Sequence, residues 1–132
     1  MISVDTSVVV RYLVGSPAGQ ARRAAALIDV ESAEIGVSVV ALAECAHVLR
    51  TQYEVDRREI IDALIGFIQR ANVRVLEIRG DVVVEALVRA RSMPGRPIPD
   101  ALIVAAALST GALPLATFDR DQRPYGIEIR EP

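Results

Sequence analysis

Lysine is missing altogether from this chain of 132 residues, whose fifteen basic side chains are all arginine. Every mechanism that runs through a lysine amine is therefore excluded. Cysteine is nearly as scarce, with Cys45 the only one, so an intrachain disulfide and a thiolate-rich zinc site are both ruled out. A lone cysteine of this kind is expected as a small buried apolar residue rather than a reactive thiol. Long apolar runs are absent too. Hydrophobic residues make up 52% of the chain, yet charges interrupt every apolar stretch before the ~20 residues that a membrane-crossing helix needs. The N-terminus lacks the basic, then apolar, then small-residue order of an export signal, because Asp5 falls where an apolar run would be building. A soluble, cytoplasmic protein without membrane association is expected. Nor is there a surplus of positive charge. A net charge of −2 argues against a uniformly basic nucleic-acid surface, so any contact with nucleic acid must be local.

What is present is the pattern of one ordinary domain spanning residues 1–132. Met1 to Asp5 reads as a short strand ending on an acid, after which Thr6 and Ser7 can cap a helix through Val8 to Val14. Gly15, Ser16 and Pro17 break the chain before a second helix, Ala18 to Val30, with Arg22 and Arg23 on its wet side. A strand at Ala33 to Val37, Ser38 as N-cap and a helix from Val39 to Tyr53 containing Glu44 repeat the strand-helix unit. Asp56 opens a fourth helix with Ile60, Ile61, Leu64, Ile65 and Ile68 inward, ending at Asn72. Val73 to Ile78 alternates as a strand, and Asp81 to Ser92 returns to helix with Arg89 and Arg91 near its C-terminus.

Met93 to Pro99, with three prolines and a glycine, is irregular and delivers the chain to Asp100 at the start of an almost purely apolar helix through Leu108. That helix is expected to be buried. Gly111 ends it, Leu113 to Phe118 is a strand with Pro114 at its beginning, and Ile127 to Ile129 is a last short strand. Strands alternating with helices predict an α/β fold, a three-layer α/β/α sandwich around a central, mostly parallel sheet.

In such sheets ligands gather at the carboxyl ends of the strands, and that rule separates four of the seventeen acidic residues from the rest. Asp5 and Asp119 each lie just past a strand, Asp100 begins an apolar helix, and Glu44 lies one to two turns into another. Brought to one sheet edge they would repel one another, raising each other's pKa or recruiting a cation. Oxygen-only ligands select a hard ion such as magnesium or manganese. Acids holding one or two such ions suit phosphodiester cleavage, in which the metal stabilises transition-state charge and lowers the pKa of the attacking water. Each acid also has an ordinary structural reading: Asp5 and Asp100 as helix caps, Asp119 and Asp121 as turn residues.

Taken in order, Val4-Asp5-Thr6-Ser7-Val8, Ala43-Glu44 inside a central helix, Pro99-Asp100-Ala101-Leu102-Ile103 followed by Ala105 to Ala107, and Ala116-Thr117-Phe118-Asp119-Arg120-Asp121 resemble the PIN domain. The resemblance covers essentially the whole chain, whose compact length is similar to that of VapC-type ribonuclease toxins of toxin-antitoxin pairs. It implies that Asp5, Glu44, Asp100 and Asp119 form an acidic quartet binding Mg2+ or Mn2+. Thr6 and Thr117 would be hydroxyl positions orienting a ligand or water, and Asp121 a further metal candidate. It also implies an RNA substrate, a cognate antitoxin protein that occludes the site, and a homodimer. Gln122 stands where such toxins often carry an aromatic residue.

His47, three residues after Glu44, is read as a helix-surface residue rather than an acid-base catalyst. Arg91 and Arg96 precede Asp100 closely enough to meet an RNA phosphate, although exposed arginines are more often simply solvated. The helices Ala18 to Val30 and Ile60 to Ile68 could present an apolar stripe to a second copy or an antitoxin, core burial being the commoner fate. Phosphoryl-aspartate phosphatases and receiver domains share the acid-at-strand-end logic but rely on a lysine. The competing reading from another class is a catalytically silent PIN-like module that binds RNA or a protein.

Overall fold

The computed structural model describes residues 1–30, 32–119 and 125–132. Contacts divide the chain into two compact units, Met1–Glu77 and Ile78–Pro132.

The first unit is built on strands β1 (Ile2–Val4), β2 (Ile35–Val37) and β3 (Val73–Val75), in the order β1-β2-β3. Both pairings are parallel, with Val4 opposite Val37 and Val37 opposite Val75. Successive side chains of a strand point to opposite faces, so β2, buried at all three positions, is covered on both faces. That is the central strand a layered α/β sandwich requires. Its middle residue is Gly36, where an added methyl would meet Leu76 and Met1 at 2.8 Å.

Parallel strands need crossovers, and helices supply them. Helices α1 (Thr6–Val14) and α2 (Ala18–Ile28) join β1 to β2, and α3 (Val39–Thr51) and α4 (Arg57–Ile68) join β2 to β3. Helix α1 ends on Gly15 in the left-handed region, with φ of 76°, where only glycine sits without steric cost. Helix α4 buries Ile60, Ile61, Leu64, Phe67 and Ile68, the spacing of one helical face. Ile65, expected inward, is half-buried, and Phe67 takes the inward place. A polar cluster ties the far ends of these helices together. The Tyr12 hydroxyl donates to Asp29 at 2.7 Å, Arg70 pairs with Asp29 at 3.0 Å, and the Arg70 guanidinium lies over the Tyr12 ring at 5.6 Å.

The second unit holds helices α5 (Gly80–Arg91) and α6 (Ile98–Thr110), packed on each other, and a parallel pair of short strands, β4 (Leu115–Ala116) and β5 (Ile129–Arg130). The α/β class and the parallel pairing agree with the sequence reading. Several local expectations need correction. The side chain that caps α1 is Asp5, not Thr6 or Ser7, both of which lie inside the helix. Helix α6 is not buried all round, because Ile103 and Leu108 are 53% and 39% exposed. The expected strands at 33–37, 73–78 and 113–118 are shorter, since a turn at Ser32–Ala33, the left-handed Glu77 and Pro114 each take residues from them.

Candidate active site

In the first unit, the end of β1 presents Asp5. The peptide leaves the strand there, and the Asp5 carboxylate accepts from the Val8 N–H at 3.2 Å and from the Ser7 hydroxyl at 2.7 Å. These two donors, the hydroxyl first, hold its carboxyl below the usual value. Asp5 is therefore an exposed, stably ionised carboxylate. One residue on, the Thr6 hydroxyl donates to Glu44 Oε2 at 3.0 Å, so α1 and α3 are joined at the point where their acids emerge. Helix α3 is itself started by Ser38, whose side chain accepts from the Ala41 N–H at 3.1 Å. Asp5, Thr6, Ser38 and Glu44 line one recess of about 720 Å³ with Arg11 and Gln52 on its wall.

Next to Glu44 on α3 stands Cys45, which is fully buried, its thiol 3.8 Å from the Thr6 carbonyl. Burial, reinforced by the negative charges of Glu44 and Asp5, pushes the thiol up to about 12. It is a packing residue, as expected. His47, on the same helix, is exposed.

In the second unit, Pro97 stands at the N-cap of α6 and Asp100 falls in its first turn, where a carboxylate is favoured by the helix dipole. Asp100 is thus not the cap, and it is half-buried. Asp119 follows β4 closely. Its backbone N–H donates to the Thr117 hydroxyl at 2.9 Å, and its carboxylate accepts from Arg96 at 3.1 Å. The Arg96 side chain is only 14% exposed. An arginine expected to be solvated or to meet a phosphate is instead committed to a candidate acid. Between Thr117 and Asp119, Phe118 is 80% exposed, a placement that its sequence neighbourhood does not signal. Asp121 and Gln122 lie outside the described residues.

Each unit thus carries two of the four acids, and within neither unit do the described residues gather three or more carboxylate, imidazole or thiol ligands. The donor set still fits a hard divalent cation in kind. It consists of carboxylates flanked by hydroxyls, with no accessible thiolate or imidazole among them.

Parallel strands joined by helices define an α/β fold, with an acid just past β1 in the first unit and another shortly after β4 in the second. The model of the PIN domain matches residues 2–127 and runs across both units, and the chain belongs to the PIN-domain family. Members generally act as nucleases with divalent metal ions. No curated protein and no solved structure matches the chain. No helix among the described residues is long and apolar enough to cross a membrane.

Proposed function

We propose that residues 1–132 act as one PIN-like domain, a magnesium- or manganese-dependent endoribonuclease of the toxin type, hydrolysing RNA phosphodiester bonds. The observation that carries this reading is the Asp5, Thr6 and Glu44 arrangement: two carboxylates at the mouth of one recess, one held ionised and the other fixed by a hydroxyl. Asp5, Glu44, Asp100 and Asp119 would hold the cation. When bound, the cation supplies charge neutralisation at the phosphate and a lowered pKa for the attacking water. The chain's own groups prepare that chemistry. Ser7 and the Val8 amide keep Asp5 charged, Thr6 aims Glu44, and Thr117 anchors the backbone at Asp119. In the reaction, water adds to phosphorus and one ester P–O bond breaks, the proton leaving with the released ribose oxygen. Asp121 is a further candidate ligand. A cognate antitoxin that covers the recess, a homodimer and a cytoplasmic location belong to the same proposal.

One observation favours a second reading, a silent PIN-like binding module: Arg96 already neutralises Asp119. Incubating the protein with total cellular RNA, with magnesium, with manganese and with excess chelator, beside Asp5→Asn, separates the two. Metal-dependent cleavage that the variant lacks supports the nuclease. Cleavage equal in both proteins, or none with either metal, favours the binding module.

A further inference from the structure

Beside the acidic recess lies a second one of about 490 Å³, with Ser7 and Arg11 lining both. Its composition is opposite in sign. Arg11 and Arg23 are its charged groups, Gln20 its amide, and Val8, Ala24 and Leu27 its apolar wall; among the described residues no carboxylate lines it. Helical geometry makes it. Gln20, Arg23, Ala24 and Leu27 follow the i, i+3, i+4, i+7 spacing of one face of α2, and Ser7, Val8 and Arg11 lie along α1 opposite. The Arg11 guanidinium is aimed by a 2.8 Å hydrogen bond from its Nε to Gln20 Oε1, which leaves its terminal nitrogens to another acceptor. Neither Arg11 nor Arg23 is in an ion pair among the described residues, whereas Arg70, Arg74, Arg79, Arg89 and Arg96 all are.

A forked cation beside an apolar wall, in a recess within the ~300–1,000 Å³ of ligand pockets, suits a nucleotide. We propose that Arg11 and Arg23 form a phosphate subsite that seats a backbone phosphate of single-stranded RNA adjoining the one at the acids, with Val8 and Leu27 against its sugar or base. This rests on the endoribonuclease reading. It also resolves a difficulty of charge: a chain of net −2 with an acidic site needs a local cationic contact to hold a polyanion, and Arg11 places that contact on the wall of the acidic recess itself.

The test measures binding apart from cleavage. A short labelled single-stranded RNA of mixed sequence is titrated with Asp5→Asn protein, in chelator, over a series of salt concentrations. Arg23→Ala and Arg11→Ala are added to that background. Arg22→Ala serves as the charge-matched control, one residue away on α2 and outside the recess. Each subsite variant is expected to bind about tenfold more weakly, the loss of a charge-assisted hydrogen bond. The slope of log affinity against log salt should fall by about 0.7, the value for one phosphate contact on a single strand. Arg22→Ala should retain the parent's slope. Unchanged affinity in Arg11→Ala and Arg23→Ala, equal losses in all three variants, or no RNA binding by the parent overturns the subsite. So does an acidic peptide that binds through Arg23 where RNA does not, which would assign the recess to a protein partner. Failure of the nuclease reading is seen separately, as wild-type protein that does not cleave RNA with metal while the salt slopes still respond to Arg23. In the wild-type background, a true subsite raises KM in Arg23→Ala more than it lowers kcat.

Discussion

Arg96 and Asp119 stand 23 residues apart in the chain and meet at 3.1 Å, the arginine side chain nearly buried and the aspartate half exposed. The pair fastens the proline-rich approach to α6 onto the end of β4, and both partners have other polar contacts as well. Arg96→Ala is expected to cost about 1 kcal/mol, the upper range for an ion pair that solvent partly screens. Because the guanidinium occupies a carboxylate assigned to the cation, the same variant should bind Mn2+ more tightly, read by calorimetry. A stability loss with weaker Mn2+ binding would show that Arg96 holds Asp119 in position rather than competing for it.

Asp5 combines a structural role with a chemical one, and the two are separable. Asn caps a helix as well as Asp does, whereas Ala does not. Asp5→Asn should therefore abolish metal-dependent cleavage at nearly wild-type stability, while Asp5→Ala loses about 1 kcal/mol besides. In chelator, the carboxyl titrates below its ordinary value of 3.8. A depressed folded-state pKa stabilises the protein above the unfolded value, so this contribution is in place above pH 3.8 and is lost as pH falls through the lower folded value. Ser7→Ala removes the first of the two donors and should raise the Asp5 pKa in a carboxyl NMR titration. An unmoved pKa would remove the hydroxyl from the account of the site.

The elements carrying the four acids were legible in the sequence because local signals mark them: an acid after a β-rich run, a serine before a periodic stretch, a proline before an apolar helix. What joins residues across the chain was not. Thr6 and Glu44 are 38 positions apart and Arg96 and Asp119 are 23, so no spacing rule connects them. Helix α6 misled for a different reason. Periodicity reveals a wet face only through polar residues, and a helix apolar on every side gives no sign that Ile103 and Leu108 reach solvent. The Arg11 and Arg23 recess has a visible stripe on α2, but its opposing wall comes from α1, which the stripe does not identify.

Asn72 reads as a helix-ending residue and proves to be a buried junction. Its amide donates to the carbonyls of Ile28, Val30 and Ala33 at 2.8, 3.2 and 3.0 Å, tying the end of α2 and the turn before β2 to the start of β3. Asn72→Leu would leave those carbonyls without that donor at a cost of about 2 kcal/mol. Asn72→Asp should cost more at neutral pH, where a carboxylate would face three carbonyl oxygens. It should recover part of the loss in acid, where protonation restores a donor. Urea titrations of both variants at two pH values decide this. Equal stability of Asn72→Asp at both would mean that the loop relaxes away from the charge.

Cys45 gives an independent check on the packing of α3 against the Thr6 backbone. Its thiol is pushed up to about 12, first by burial and then by the charges of Glu44 and Asp5. For an acid whose folded pKa is raised, the neutral form favours folding. The stabilisation is complete below the unfolded value of 9.0 and is lost as pH rises from there toward about 12. At pH 9.0, where the unfolded thiol is half ionised, native protein should resist iodoacetamide while unfolded protein reacts. Glu44→Gln removes one of the two negative charges and should bring the thiol pKa down without opening it to reagent. Fast labelling of the native wild type would mean that α3 does not pack closely on the Thr6 backbone, and the positions assigned to Thr6 and Glu44 would lose their support.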